Sequence, residues 1–596
     1  MSDSPLVSIL MPCHARPHWM LTRSVPSVLA QTHSNWELVI VSDGQDNTRV
    51  RAVVEGFGDD RIRYFEIPRP DYSKMSHIQL WHAAGAAARN HAEAQSRGGI
   101  IALLDDDDAF EPHHLRECVE ALDVTGADLV YGSVHVFHPD TGYVTGKDYF
   151  PWREKESRER FVRQNVIRTP SVAYLRRWRD TPYPEDGQIA ADFGKWLAMH
   201  QAGATFTSID RPQATHYLSP TRVAMPSVPP LTDMVAAVTA MHATRSLSNY
   251  GPYCRRVEEQ IAERIEVEHV VACSSGDTAL GMAMQLVAER AAELGRDEVI
   301  VPSYTFPSTV NAVIRAGLTP VFCDVDPLSW CATPDSVRAA ITDQTAAIFP
   351  VHTHGIPCDM PALEQLAEQV GALLVSDAAG ALGATIDGRP VGGFGHIEVF
   401  SLASTKVLSS GEGGLLACRD GEIANSLREL GRYGLGADYQ STHAAGSNGR
   451  MPEFAAALAL AALPMMDDWL AWRAHAADRY RKLLADAALT MPAPTLAGHV
   501  ATWKDIPFLT PSAAANRDLQ RRLAGYRIES RPHYRALHRM PPFANLRCAP
   551  LPVTEHLADK VICLPISNEI PDATVQTVAE AVAFELNDLL RKDAIA

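Results

Sequence analysis

The chain has 596 residues, enough for more than two domains at roughly 150 residues each, and its 54 Lys and Arg against 71 Asp and Glu leave a net charge of -17. That balance excludes proteins that wrap nucleic acid or anionic lipid, which need clustered basic residues. Apolar residues make up 46% and charged residues 21%, which excludes a disordered chain.

The start, MSDSPLVSILMPCHARP, has no basic region ahead of its short apolar run. It is expected to open a strand rather than direct export. No run approaches the roughly 18 apolar residues of a membrane span. Ten cysteines lie scattered without a CxxC pair, as in a reducing cytoplasm, so a cytoplasmic location is expected. LVSILMP, WELVIVSDG, RIRYFEI and GIIALLDDDD are predicted strands, with a helical stretch at HWMLTRSVPSVLAQ. Such alternation predicts a parallel-rich α/β sheet. It fades near Leu218, where YLSPTRVAMPSVPPLTD is rich in proline and reads as a linker or entry arm. A second α/β series begins with EHVVACSSGDTALGMAMQLV and runs through DEVIVPSYTFPSTVNAVIRAG, TPVFCDVD, TAAIFPVHTHG and GALLVSDAAG. Long helical patterns follow Glu453, then a smaller mixed end. Two joined enzymes are expected, residues 1–221 and 222–596.

Asp105, Asp106, Asp107 and Asp108 directly follow the apolar strand IIALL. Adjacent carboxylates repel, and a hard cation such as Mg2+ or Mn2+ would offset that repulsion and neutralise the phosphates of a nucleotide leaving group. A solvated acidic loop or a helix N-terminus accounts equally well for an acidic run alone. The ordered series VSILMPCHARP, SVLAQTHSNWELVIVSDG, AARNHA and GIIALLDDDDAFEPHHL resembles the inverting family 2 glycosyltransferases of GT-A fold, over about residues 5 to 215. The resemblance implies that Asp43 reads the nucleotide base and that Arg89 and Asp106 lie at the nucleotide donor. It implies Asp107 and Asp105 as metal ligands. The family's catalytic base is matched best by Asp192 in IAADFGKWLAM, with Glu185 and Asp186 nearby; it would take the proton of the acceptor hydroxyl. Two departures stand out. Ser42-Asp43 replaces the usual Asp-Asp, and Cys13-His14 the usual Tyr-Asn.

In the second half, SLASTKVLSSGEGG places Lys406 in a small, polar turn, where a lysine of lowered pKa could form a Schiff base. A lone lysine is more often a solvated surface amine. Asp377 ends the strand GALLVSD and could hold a protonated pyridine nitrogen. Ser274, Ser275 and Gly276 open a helix whose N–H groups could bind phosphate. Phe306 in PSYTF follows a strand and could stack on a flat ring. These features resemble the DegT/DnrJ/EryC1/StrS family of fold type I sugar aminotransferases, which use pyridoxal 5'-phosphate. The resemblance extends over roughly residues 225 to 590, through stretches such as SNYGPYCRRVEEQIA, IFPVHTHGIPCDM, GSNGRMPEFAAALALAAL and SRPHYRALH.

It implies that Lys406 bonds the cofactor and shuttles the α-proton, Asp377 keeps the ring nitrogen protonated, and Phe306 stacks on the ring. Gly276, Asp277 and Ser401 would hold the phosphate, and Asn448 would reach the cofactor of a partner in a homodimer. His352 lies near the site with its role open; a satisfied structural histidine is an equal reading. SSGDT puts Asp277 where Thr is usual, and a carboxylate beside a phosphate is unfavourable, so its side chain is expected to turn away or to cap the helix. Gly380 replaces a polar residue three positions after Asp377, which would widen the pocket.

The expected activity is bifunctional. One half would transaminate a nucleotide-linked keto-sugar, with glutamate or glutamine as amino donor. The other would transfer sugar from a nucleotide sugar with inversion. Two alternatives remain open at this point: a cyclitol ketone as substrate, or a glycosyltransferase-like half that only binds.

Overall fold

The computed structural model describes residues 4–13, 19–43, 47–71, 75, 83, 85–138, 143–146, 151–162, 165–217, 222–526 and 528–595. His14 and Pro220 of the sequence argument lie outside these. The chain divides into two units, residues 1–220 with 525–527, and the remainder.

Among the described residues the first unit has nine strands: β1 (Val7–Cys13), β2 (Trp36–Ser42), β3 (Ile62–Glu66), β4 (Ile100–Leu103), β5 (Ala109–Phe110), β6 (Leu129–His138), β7 (Tyr143–Gly146), β8 (Ala173–Leu175) and β9 (Phe206–Tyr217). β1, β2 and β4 are buried along their whole length, as unbroken apolar runs require of strands covered on both faces. The sheet order is β3-β2-β1-β4-β8-β6-β9-β5, with β7 beside β6. β1 pairs in parallel with β2 on one side and β4 on the other. The order therefore reverses at β1, and the carboxyl ends flanking such a switch point form a crevice. The register places Cys13 against Ser42 and Leu10 against Leu103. Asp43 and the aspartate run thus emerge at one edge. Two helices cover this region, α1 (Ala86–Gln95) and α2 (Ala191–Gln201).

In the second unit the main sheet has eight strands: β10 (His269–Cys273), β11 (Glu298–Pro302), β12 (Thr319–Cys323), β13 (Thr345–Ile348), β14 (Leu373–Asp377), β15 (Ile397–Ser401), β16 (Gly414–Cys418) and β17 (Arg547–Cys548). Their order is β10-β16-β15-β14-β13-β11-β12-β17. β16 runs antiparallel to both neighbours and the other pairs are parallel. Gly414 pairs with Cys273 on one side and Ser401 on the other, while Asp377 pairs with Val399. This register delivers Ser274–Gly276, Asp377 and the Ser401–Lys406 turn to the same edge. Helices α4 (Gly276–Leu294) and α5 (Pro307–Arg315) pack on the sheet, while α3 (Leu231–Thr244) packs on α6 (Glu453–Ala462), and α7 (Met466–Leu483) follows. The smaller mixed end contains the antiparallel pair Ile506–Leu509 and Val561–Leu564, followed by α8 (Asp572–Ile595).

Of the two readings of the proline-rich stretch, linker or entry arm, the residues from 222 onward match the entry arm. Ala224–Met225 pairs with Ile566–Ser567, Val223 is buried, and its N–H donates to Glu529 Oε2 at 3.0 Å. An apolar Val-Ala-Met run with backbone groups to satisfy docks on the second unit. By length and hydropathy alone, Glu453–Leu483 passes the test for a membrane span. That segment is interrupted at Leu463–Met465. Ala457 of α6 packs on Ala237 and Met241 of α3, and α7 buries Arg473, whose Nη1 donates to Trp503 O at 3.0 Å.

Candidate active sites

At the edge of the first sheet the acidic run is divided by its partners. Arg89 on α1 donates to Asp105 Oδ1 at 2.6 Å. Burial opposes the Arg89 charge, but the carboxylate of Asp105, with Tyr183 and Asp192, holds the guanidinium protonated beyond its usual range. Asp106 and Asp107 sit in the turn and are buried, and Asp108 N–H closes that turn on Asp105 O at 3.2 Å. Asp108, fully buried, lies 3.0 Å from His216 Nδ1 through both carboxylate oxygens and accepts the Tyr217 N–H at 3.1 Å. Burial raises its pKa to about 6, with His216 opposing and Asp107 and Asp105 adding. Asp108 therefore anchors the turn to β9. Asp43 is buried just past β2, and its N–H donates to Cys13 O at 3.3 Å.

Asp192 lies in the first turn of α2. Its Oδ2 accepts Thr169 Oγ1 at 2.7 Å and Asn165 Nδ2 at 3.1 Å, and Oδ1 accepts Phe193 N–H at 2.7 Å. Its influence on Arg89 places it within electrostatic reach of the Arg89–Asp105 pair. Glu185 is spent on Asn90 at 2.7 Å. The sequence argument missed the tie between these helices. Lys195 Nζ, fully buried, donates to Glu93 at 2.7 and 2.9 Å and to Thr181 O at 2.6 Å, and Tyr174 OH donates to Glu93 at 2.5 Å. Glu93 is one turn from Arg89, and Lys195 is one turn from Asp192.

In the second unit Asp377 is buried at the end of β14. Its Oδ2 accepts Thr309 Oγ1 at 2.8 Å and Oδ1 accepts Ala379 N–H at 3.1 Å. Burial raises its pKa, opposed by Thr309, Ala379, Lys406 and His352. Burial lowers the Lys406 amine to about 8, aided by Lys504 and opposed by Asp505, Asp377 and Glu412. A lowered amine pKa is what a lysine nucleophile requires.

Gly276 opens α4 behind the cap Ser275, whose Oγ accepts Thr278 N–H at 3.1 Å. A Cβ at Gly276 would lie 2.7 Å from Ser401 Cβ, so only glycine lets the helix N-terminus approach that serine. Free N–H groups and a hydroxyl at a helix start form a phosphate cradle. Of the two expected placements of the Asp277 side chain, turned away or capping the helix, the structure shows the first: both carboxylate oxygens accept from Arg315, at 2.8 and 3.0 Å. The carboxylate thus turns away, as its repulsion for phosphate demands. Phe306 is 54% exposed, positioned just before α5 and 6.4 Å from the Tyr534 ring. Exposure of so large a ring at a site edge suits stacking.

His352 is buried, and both ring nitrogens have protein partners. Nδ1 accepts Cys358 N–H at 3.0 Å and Nε2 lies 3.4 Å from Glu398. That is a structural arrangement. Asn448 is exposed, its carbonyl oxygen accepting Arg450 Nε at 3.0 Å. The sequence argument also missed Thr309, Lys504 and Asp505, which carry no motif; only the fold brings them to Asp377 and Lys406.

The residues at this second edge fit pyridoxal phosphate, with a Gly276–Ser401 cradle for phosphate, a buried carboxylate for a ring nitrogen, and an amine of lowered pKa. The carboxylate set of the first edge suits a hard cation.

A model of the DegT/DnrJ/EryC1/StrS aminotransferase family matches residues 232–583, and a model of glycosyl transferase family 2 matches residues 8–178. The chain is 36% identical over 347 residues to UDP-N-acetyl-3-dehydro-alpha-D-glucosamine 3-aminotransferase of Acidithiobacillus ferrooxidans, covering 57% of this chain and 90% of that protein. It is 33% identical over 344 residues to GDP-perosamine synthase of Caulobacter vibrioides, covering 57% and 91%. The crystal structure of DesI with its TDP-sugar product is similar at a TM-score of 0.57 and 31% identity, covering 63% of this chain and 96% of that one.

Proposed function

Because the chain belongs to the DegT/DnrJ/EryC1/StrS aminotransferase family and carries a glycosyltransferase family 2 domain, we propose that it is bifunctional: it aminates a nucleotide-linked keto-sugar, with glutamate or glutamine as donor, and transfers sugar with inversion from a nucleotide sugar. The relatives just described are named for UDP-, GDP- and TDP-linked sugars, which supports the nucleotide-linked class. One observation carries the amination, the convergence of Lys406 and buried Asp377 at one sheet edge beside the Gly276–Ser401 cradle.

Pyridoxal phosphate bound there would supply an electron-accepting ring. Ser275, Ser401 and the first N–H groups of α4 would bind its phosphate. Asp377, fixed by Thr309, would keep the ring nitrogen protonated, and Phe306 would cover the ring face. Lys406 Nζ carries the proton that leaves the α-carbon of the amino donor and returns to the former ketone carbon of the sugar. Water exclusion by the surrounding buried groups keeps that amine neutral enough to take the proton. In the first unit Asp107 and Asp105 would hold Mg2+ or Mn2+, Asp43 and Asp106 would bind the nucleotide, and Asp192 Oδ would take the proton of the acceptor hydroxyl. The active form is a homodimer in which Asn448 serves the partner's site. Support comes from the exposure of Val235, Val238, Leu247 and Phe454 on adjoining elements of the second unit. The location is cytoplasmic.

The test is purified chain assayed by mass spectrometry against nucleotide keto-sugars, cyclitol ketones and nucleotide sugars. Lys406→Ala is expected to lose visible cofactor absorbance and all amination. Chelator and Asp107→Asn are expected to stop glycosyl transfer and leave amination intact. Amination by Lys406→Ala, or loss of both activities with chelator, would overturn the corresponding half of the proposal. Turnover of cyclitol ketones alone would replace the sugar assignment.

A further inference from the structure

Arg473 lies on α7 with its side chain buried. Burial lowers its pKa to about 10, with Asp505 opposing, so it stays charged at neutral pH. A buried charge has to be hydrogen-bonded, and this one is spread over neutral oxygens. Nη1 donates to Trp503 O at 3.0 Å and to Lys504 O at 3.2 Å, and Nε donates to Asn568 Oδ1 at 2.5 Å. Asn568 directly follows the short strand Ile566–Ser567 and is itself buried. The other end of its amide crosses to the turn of the cofactor lysine, where Nδ2 donates to Val407 O at 2.8 Å.

This amide stands between a guanidinium, which only donates, and a carbonyl oxygen, which only accepts. The side chain that bridges them has to offer one acceptor and one donor. Asparagine does so with its two ends; aspartate lacks the donor, and an apolar side chain lacks both. The same chemistry fixes which end of the amide faces which partner. Val407 is the residue after Lys406, and it too is buried. On the other side of the lysine the bonds are local. Lys406 N–H donates to Ala403 O at 2.9 Å, and Ser410 N–H closes the base of the turn on Leu402 O at 2.8 Å. Asn568 grips the turn from a segment 161 positions further along the chain.

We infer, resting on Lys406 as the cofactor lysine, that Asn568 is a positioning residue: braced by Arg473, its amide holds the Val407 carbonyl and so sets the point from which Lys406 reaches the cofactor aldehyde. The seat of the cofactor lies elsewhere, at Asp377 and the Gly276–Ser401 cradle. A shifted turn therefore changes the reach of the lysine and leaves the seat in place. Bond formation is sensitive to such a shift, since a misplacement of about 1 Å can cost about a hundredfold in rate.

The experiment uses the full chain freed of cofactor, and two probes at saturating concentration. Pyridoxal phosphate condenses with the Lys406 amine: a C=N bond forms and the aldehyde oxygen leaves as water. The rate is read by visible absorbance and by borohydride trapping, with mass spectrometry locating the adduct. Pyridoxamine phosphate has an amine in place of the aldehyde and cannot make that bond, so its dissociation constant reports the seat alone. Asn568→Asp keeps an oxygen for Arg473 but sets an acceptor against the Val407 carbonyl. It is expected to slow attachment by roughly ten- to a hundredfold, the scale of a misplaced reacting group, and to leave the dissociation constant of pyridoxamine phosphate unchanged. Attachment at the wild-type rate overturns the inference. So does a loss of pyridoxamine phosphate binding that matches the loss of attachment, which would make the Arg473–Asn568 bridge a support of the fold only. If Asn568→Asp does not fold, Asn568→Ala, which removes both bonds, is read in the same two ways and decides. Failure of the wild-type chain to attach cofactor at Lys406 overturns the parent proposal and this inference together.

Discussion

Asp108 and His216 illustrate how a run of identical residues separates into different tasks. Asp105 meets Arg89, Asp108 meets His216, and Asp106 and Asp107 occupy the turn between them. Burial dominates both members of the Asp108–His216 pair. It raises Asp108 to about 6, and it works against the charge on His216, whose bond and proximity to Asp108 nevertheless raise its pKa. Both folded-state values thus exceed the unfolded ones of roughly 3.9 and 6.5. Groups with raised folded values add stability that is complete below the unfolded values and is lost as pH rises through the folded ones. His216→Gln is therefore expected to cost more stability at acid pH than at alkaline pH. Urea midpoints of wild type and variant on either side of neutrality measure this, and a difference that grows with pH would refute it.

Between α1 and α2 the tie is a buried ion pair. Burial raises Glu93 and lowers Lys195, and their mutual attraction opposes both shifts. Removing one partner leaves an uncompensated buried charge, whereas replacing both by apolar groups is often close to neutral. Lys195→Met is expected to destabilise by about 3 to 5 kcal/mol, and a Glu93→Leu, Lys195→Met double change by much less. Urea unfolding checks this. Equal loss in both would mean that the pair holds the helices by packing alone. Arg89 and Asp192 lie one turn from this tie on their respective helices, so its geometry bears directly on the candidate transfer site.

For the whole chain, Val223–Met225 docks on the second unit. Separating the halves after residue 217 keeps that short strand with its partner, and the C-terminal piece is expected to be soluble and to bind pyridoxal phosphate. Cutting after residue 226 removes the strand and is expected to lower its melting temperature. Equal melting of the two pieces would deny the docking any role. The proposed dimer has its own test in mixed chains. If Asn448 serves the partner, a Lys406→Ala chain paired with an Asn448-disrupted chain has one site with both lesions and one with neither. Random mixing is then expected to restore roughly a quarter of wild-type amination by that two-fold counting. No recovery after unfolding and remixing would place both residues in one protomer's site.

Much of this was legible in the sequence because parallel strands buried on both faces are written as unbroken apolar runs. WELVIVS, IIAL and LLVSD run to the sheet edges, so Asp43, Asp105 and Asp377 follow from strand position alone. Gly276 and Lys406 were legible because a helix start and a small-residue turn constrain local backbone chemistry. What the tertiary structure decided was which charges meet. Asp277 turns to Arg315, Asp108 to His216, Glu93 to Lys195, and Lys504 enters the gap at Gly380 across 123 intervening positions. A charged side chain carries no sequence period that identifies its partner. The energy that pairs it is set by burial and distance, and those exist only after the sheet edges and helices have been brought together.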